Sequence, residues 1–168
     1  MRFFSRRSMR IEEVQALYQQ HGPALLLYAR SLLGRRDVAD DVLQQVFMKL
    51  LEQNSIPEET RPYLFRAIRN VALNWIRNES KQVDLAEIDP WFEVPHQDHA
   101  TRVSLTVELM RVPEDQRQVL VLHIWGGLSF EEIGNVLDVS ANTVASRYRY
   151  ALQKLRVAMR TKDDPLCR

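Results

Sequence analysis

The sequence is poor in the features that build disulfides and membrane spans. Its single cysteine, Cys167, lies in the polar tail TKDDPLCR, so an internal disulfide is excluded and reducing surroundings are expected. No stretch approaches the roughly 20 uncharged apolar residues that a transmembrane helix needs. The basic segment MRFFSRRSMR lacks the apolar core of a signal peptide. We therefore expect a cytoplasmic protein that does not insert into a membrane.

Sequence motifs of enzyme active sites are also missing. The chain contains no nucleophile elbow, phosphate-binding loop or paired-acid motif. His96 and His99 have the HxxH spacing of half a metal site, but no cysteine or third histidine lies near them. We therefore expect no catalytic residues, no metal and no cofactor.

Charge is almost balanced over the whole chain but is unevenly distributed along it. The formal net charge is +1, yet residues 83–101 carry five acids and no lysine or arginine. Basic side chains concentrate in residues 60–82 and 141–160. This distribution predicts two separated basic helices, each able to contact a polyanion.

Apolar residues recur at three- and four-residue spacing, which predicts an all-α protein. In the first half we predict helices over about 11–21 and 23–33, separated by Gly22-Pro23, then a third helix from Asp37 and a fourth after Pro62. The expected buried face of the third helix comprises Val38, Val42, Leu43, Val46, Phe47, Leu50 and Leu51, and that of the fourth Leu64, Phe65, Ile68, Val71, Ala72, Trp75 and Ile76.

The helical spacing of apolar residues is lost between the two halves of the chain. Residues 82–101 contain Pro90 and Pro95 and are acidic, as expected of a flexible linker. We therefore predict two small helical domains, a four-helix domain over 11–81 and a second domain over 102–160, joined by that acidic linker.

The second half contains the signals of a helix-turn-helix over residues 129–156. Ser129 and Glu132 have the spacing of a capping box, which begins a short helix that runs to Leu137. Asp138 tolerates a left-handed conformation in the turn, and Ser140 can cap a last helix over 141–160. The expected inward stripe of that helix is Val144, Tyr148, Ala151 and Leu155.

A helix-turn-helix of this kind places its second helix in the DNA major groove. Arg149 can donate two hydrogen bonds to a guanine edge, and Thr143 and Arg147 are better placed for phosphates. The remaining candidate readers are Ala145, Ser146 and Tyr150. A solvated basic helix in a helical bundle would look the same, because helix-turn-helix shapes also occur in proteins that never touch DNA.

Two segments of the sequence resemble conserved regions of a known protein family. VPEDQRQVLVLHIWGGLSFEEIGNVLDVSANTVASRYRYALQKLR resembles region 4 of bacterial RNA polymerase sigma factors. ADDVLQQVFMKLLE followed by YLFRAIRNVALNWIR resembles region 2. Their order, about twenty residues apart, is similar to that of the extracytoplasmic-function group of the sigma-70 family. Gln45 and Asn74 stand where the family usually has acids, and Asp138 where it has a turn glycine.

The resemblance implies a function for each segment. Region 2 would bind the clamp coiled coil of the polymerase β′ subunit through the third helix, where Asp41, Gln44 and Gln45 match the contact positions. Region 4 would contact the β flap and read the minus-thirty-five element of promoter DNA. An anti-sigma factor is a further implied partner. A plain solvated helix would also present such carboxylates and amides.

The resemblance also implies that residues 53–81 capture the melted minus-ten element. Asn54 offers a donor and an acceptor to a flipped base, although a turn residue would look the same. Tyr63 is the better candidate for stacking, because Trp75 lies on the apolar stripe. The remaining implied minus-ten contacts are Arg66, Arg69, Asn70, Asn74, Arg77 and Lys81.

Two other functions fit parts of the sequence. A dimeric helix-turn-helix regulator would use residues 129–156 alone, and it leaves the second basic, amide-rich helix unexplained. A sigma mimic that sequesters an anti-sigma factor should lack the basic readers Arg147, Arg149 and Arg156. A sigma factor that gives core RNA polymerase promoter specificity accounts for both halves.

Overall fold

A computed structural model of the protein describes residues 11–53, 57–79 and 99–162. These residues form helices and no strand, so the expected all-α fold is confirmed for them. None of the described helices is long and apolar enough to cross a bilayer. The helices are α1 Ile11–Leu33, α2 Arg36–Glu52, α3 Thr60–Asn78, α4 His99–Arg111, α5 Glu114–Ile124, α6 Phe130–Leu137 and α7 Ala141–Lys162.

The predicted break at Gly22-Pro23 is wrong, since α1 continues through Pro23. An internal proline costs a helix about 3 kcal/mol. The apolar face of α1 is continuous across this point, with Val14 buried before it and Leu25 and Tyr28 after it. Each fully buried side chain of this size contributes roughly 1.5–3 kcal/mol, so tertiary packing outweighs the local signal. The N-terminal unit therefore has three described helices, not four.

Helices α1, α2 and α3 pack against one another and form the N-terminal unit. Its core contains most of the side chains predicted from the periodicity, and Phe65 and Ile68 are almost completely buried. Leu51 and Ile76 were predicted to face this core, but they are exposed. They lie at the margins of the apolar stripes, where periodicity distinguishes poorly between core and surface.

Helices α4 to α7 form the C-terminal unit, in which α5, α6 and α7 contact one another. Helix α4 begins at His99, inside the segment predicted as linker. Residues 80–98 lie outside the described residues, as do Asn54 and Ser55 of the loop before α3, so the predictions for Lys81, His96 and most of the linker are not addressed by the structure.

The two units are in contact, with α1 against α5 and α3 against α6. At the α1–α5 junction the buried Tyr28 hydroxyl donates to Gln118 Oε1 at 2.9 Å. Arg117 Nε donates to the carbonyl oxygen of Ser31 at 3.1 Å. Burial raises the pKa of the Tyr28 phenol, which keeps it a neutral donor, and lowers the pKa of Arg117. The junction is therefore a specific, hydrogen-bonded contact.

Candidate nucleic-acid interface

The helix-turn-helix begins at the predicted capping box. Glu132 N–H donates to Ser129 Oγ at 3.2 Å, and Ser129 N–H donates to Glu132 Oε2 at 2.7 Å. Two amides that the first turn of α6 would leave without partners are thus satisfied. The sequence pattern therefore predicts the start of α6 correctly.

Replacing Ser129 with alanine should lower the free energy of unfolding by about 1 kcal/mol, because the Glu132 amide loses its acceptor. Urea denaturation followed by circular dichroism measures this change. Asn142→Ala is the matched control, since Asn142 is exposed in the first turn of α7. Equal stability of the two variants would contradict a stabilising role for the capping box.

The turn between α6 and α7 depends on two residues with special backbone requirements. Asp138 adopts the predicted left-handed conformation, with φ 56° and ψ 45°. Gly134 approaches the turn closely: a Cβ at this position would lie 2.6 Å from the carbonyl oxygen of Val139. Gly134 is not among the residues predicted from the sequence, although a glycine inside the strongly amphipathic α6 is itself a signal of a packing requirement.

Helix α7 divides into an inner and an outer face. Val144 and Ala151 are fully buried, and Tyr148 packs against His123 and Phe130 with ring centroids 4.9 and 5.5 Å apart. Leu155 packs against the same core. The predicted inward stripe is therefore present.

The side chains predicted to contact DNA differ in their solvent exposure and in the partners they already have. Arg149 and Tyr150 are exposed, and Ala145 and Ser146 are half-buried beside them. Arg147 Nε lies 3.2 Å from Asp115 Oδ2, and its side chain is only 28% exposed. Thr143 lies in the α7 cap, where its amide donates to Ser140 Oγ at 3.1 Å. The side chains that are accessible to a DNA groove are therefore those on the outer face of α7.

Helix α3 carries most of the residues expected to contact the melted strand. Asn70, Asn74 and Arg77 are exposed. Arg66 lies 3.8 Å from Asp138 of the helix-turn-helix and also donates to the carbonyl oxygen of Asn135. Arg69 is half-buried, and its Nε is buried without a hydrogen-bond partner. Arg66 is therefore paired with the C-terminal unit although its side chain is 48% exposed, whereas Arg69 is partly buried.

The two aromatic candidates for stacking also have partners. The Tyr63 hydroxyl and the Gln53 side-chain amide lie 3.0 Å apart, and Tyr63 is half-buried. Trp75 packs against the core, and the Arg35 guanidinium lies 5.8 Å from its ring centroid. Trp75 is thus a packing residue in this arrangement, as its place on the apolar stripe predicted.

The polymerase-binding candidates lie on the solvent-facing side of α2. Asp41, Gln44 and Gln45 are all exposed. Met48, 59% exposed, and the exposed Leu51 lie within about three helical turns of them. This face combines hydrogen-bonding groups with apolar area, the composition expected of a protein-binding surface.

Comparison with known proteins finds a separate family match in each half of the chain. Residues 17–82 match the family described as Sigma-70 region 2, and residues 109–157 match Sigma-70, region 4. The chain is similar to the RNA polymerase sigma-E factor of Streptomyces coelicolor, with 31% identity over 147 residues, covering 83% of this chain and 82% of that protein. It is also 30% identical over 151 residues to the ECF RNA polymerase sigma factor SigE of Mycolicibacterium smegmatis, covering 83% of this chain and 59% of that protein.

A solved structure has a similar fold. It is the sigma factor RpoE in complex with the anti-sigma factor NepR from Bartonella quintana, with a TM-score of 0.74 and 19% identity, covering 89% of this chain and 98% of that one. The paired region 2 and region 4 matches and these relatives lead to one assignment: this chain belongs to the sigma-70 family, as a sigma factor of the extracytoplasmic-function group.

Proposed function

We propose that the protein binds core RNA polymerase and directs promoter-specific initiation. Region 2 opens the minus-ten element, and region 4 reads the minus-thirty-five element. The observation that carries the proposal is that one chain presents an exposed acidic and amide face on α2 together with a basic helix-turn-helix. A repressor needs only the second of these surfaces.

The outer face of α7 supports upstream reading. Arg149 and Tyr150 extend into solvent beyond the turn that holds the N-terminus of α7 in place. An arginine there matches the two acceptors of a guanine edge in the major groove. Thr143 and Arg147 are proposed to contact phosphates, which requires Arg147 to leave Asp115.

The outer face of α3 supports capture of the melted strand. Exposed Asn70 and Asn74 offer amides to bases, and Arg77 offers charge to the backbone. Asn54, Tyr63, Arg66, Arg69 and Lys81 complete the proposed minus-ten surface. The proposed units are 11–81 for region 2 and 102–160 for region 4. The linker, 82–101, can extend to at most about 66 Å, close to two turns of DNA.

The partners follow from these surfaces and from the family. Asp41, Gln44 and Gln45 would accept hydrogen bonds from arginines of the β′ clamp coiled coil, while region 4 contacts the β flap. An anti-sigma factor is a further proposed partner, because the Bartonella quintana sigma factor of similar fold is seen with one. The polymerase would perform all the chemistry, and the sigma factor itself would have no enzymatic activity.

In vitro transcription tests this function. The full chain is added to core RNA polymerase with a library of genomic fragments, and transcripts with discrete start sites are expected. Core enzyme alone is the control. Absence of promoter-dependent initiation on every fragment would refute the proposal, and binding of the chain to a palindromic site without polymerase would favour a dimeric regulator.

A further inference from the structure

The turn between α1 and α2 places two consecutive arginines at the start of a helix. Arg35 is the N-cap residue of α2, in an extended conformation, and Arg36 is the first residue of the helix. The side chain of Arg35 makes no cap hydrogen bond. Cations are disfavoured at this end of a helix, because the unpaired N–H groups of the first turn give it a partial positive charge. Helix formation therefore does not explain either arginine.

Arg35 is held on two sides. Its Nη2 and Nε donate to Oδ2 and Oδ1 of Asp37 at 2.6 and 3.2 Å, respectively. These hydrogen bonds hold the pKa of the Asp37 carboxyl below its ordinary value, so the pair stays charged at neutral pH. The centre of the guanidinium also lies over the ring of Trp75 on α3, 5.8 Å from the ring centroid. Arg35 is therefore a restrained planar group that joins α2 to α3, and it has less side-chain freedom to lose when it binds a ligand.

The guanidinium of Arg35 remains accessible to solvent. Its side chain is 40% exposed, whereas Trp75 is half-buried and packs against the core. Asp37 occupies the Nε–Nη2 edge of the guanidinium, and its negative charge beside Arg35 repels a phosphate. Unpaired nucleobases stack on the planes of arginine guanidiniums, and the exposed Asn74 and Asn78, within one turn of Trp75, offer amides to base edges. The surroundings of Arg35 thus fit a base better than a phosphate.

We infer that Arg35, supported by Trp75 and oriented by Asp37, is a stacking site for an unpaired nucleobase of the melted promoter strand. The inference rests on the proposed function, because that function brings a melted strand to α3. It adds a contact from the α1–α2 turn to those proposed for residues 53–81. Only Arg35 would touch the base, so Asp37 and Trp75 are positioning residues. Since every base has a π-face, the site takes purines and pyrimidines alike.

The experiment compares two single strands of about 12 nucleotides, a length within the range that small single-strand binding domains cover. One strand carries a mixed base sequence, and the other has the same sugar–phosphate backbone without bases. Their binding to the free full-length chain is followed by fluorescence anisotropy of an end label. The ratio of the two affinities measures base contacts, because phosphate contacts are common to both strands. Arg35→Gln should lower this ratio about fivefold or more, as expected from the loss of one stacked base.

Arg36→Gln is the matched control for Arg35→Gln. Arg36 is the adjacent arginine, exposed and without an ion pair among the described residues, so its loss should weaken both strands equally and leave the ratio unchanged. Arg35→Lys keeps the charge but loses the planar group, and it should lower the ratio as Arg35→Gln does. Asp37→Asn leaves Arg35 with a weaker partner, and it should lower the ratio by a smaller factor. Urea denaturation of each variant measures its stability separately.

An unchanged ratio in Arg35→Gln, a wild-type ratio in Arg35→Lys, or a wild-type chain that does not prefer the strand with bases would overturn the stacking site. A lower urea midpoint for Arg35→Gln with an unchanged ratio would show that Arg35 only joins α2 to α3. None of these measurements needs polymerase, so a stacking site found in a chain that fails to initiate would refute only the proposed function. If both hold, Arg35→Gln should reduce promoter opening by a similar factor, measured as permanganate reactivity of minus-ten thymines.

Discussion

Replacing Gly134 with alanine is expected to destabilise the C-terminal unit by about 1–3 kcal/mol, the usual cost of an overpacked core site. The added methyl would lie 2.6 Å from the carbonyl oxygen of Val139, which is main chain and has little freedom to yield. That turn is held by the hydrogen bond from Val139 N–H to the Gly134 carbonyl, 3.0 Å long. Separation of α6 from α7 should follow, with loss of upstream-element recognition.

Urea denaturation and transcription from a minus-thirty-five-dependent promoter measure these two effects. Gly22→Ala is the matched control, because a Cβ there would meet the Tyr18 ring at 3.8 Å, an ordinary contact. Since Gly22 lies inside α1, alanine should leave stability unchanged or raise it by up to about 1 kcal/mol. If Gly134→Ala were as stable as Gly22→Ala, the close approach would not constrain the turn.

Replacing Arg149 with alanine should reduce transcription from promoters that depend on the minus-thirty-five element on the order of tenfold to a hundredfold. A bidentate contact to guanine contributes about 1–3 kcal/mol of discrimination, and the exposed Arg149 is the arginine placed to make it. Binding to core polymerase should change little, because Arg149 is on α7 and the proposed clamp contacts are on α2. Run-off transcription and a core-binding assay measure the two quantities.

Lys154→Ala is the matched control for Arg149→Ala. Lys154 is an exposed cation of the same helix, more than one turn further along, so its loss should weaken binding similarly for all upstream sequences. The ratio of activities on intact and scrambled upstream elements separates the two variants. An unchanged ratio in Arg149→Ala would show that Arg149 does not read bases.

The structural features that were predicted correctly depend on short-range patterns in the sequence. The capping box at Ser129, the left-handed Asp138 and the inward face of α7 each depend on residues within a few positions of one another. The break at Gly22-Pro23 was wrong for the opposite reason. There the deciding quantity is burial against α2, α3 and α5, none of which belongs to the few residues on which a local helix-stop signal depends.

The relation between the two units could not be predicted from the sequence. Arg66 and Asp138 are separated by 72 positions, and each has an ordinary local explanation, as a DNA contact and as a turn residue. Arg117 is a similar case. A buried guanidinium that donates to the carbonyl oxygens of Ser31, Met110 and Val112 leaves no periodic pattern in the sequence. The outer faces of α2 and α7 were predictable because amphipathicity alone places them in solvent.

The packing of α6 on α3 and of α5 on α1 has a thermodynamic consequence for binding. Every ligand that requires separated units then binds with an apparent affinity reduced by the fraction of molecules already open. The first such ligand meets the cost of separation, and the next one does not. Two ligands that each require separated units would consequently bind with positive cooperativity, even where they touch different helices of the protein and never each other.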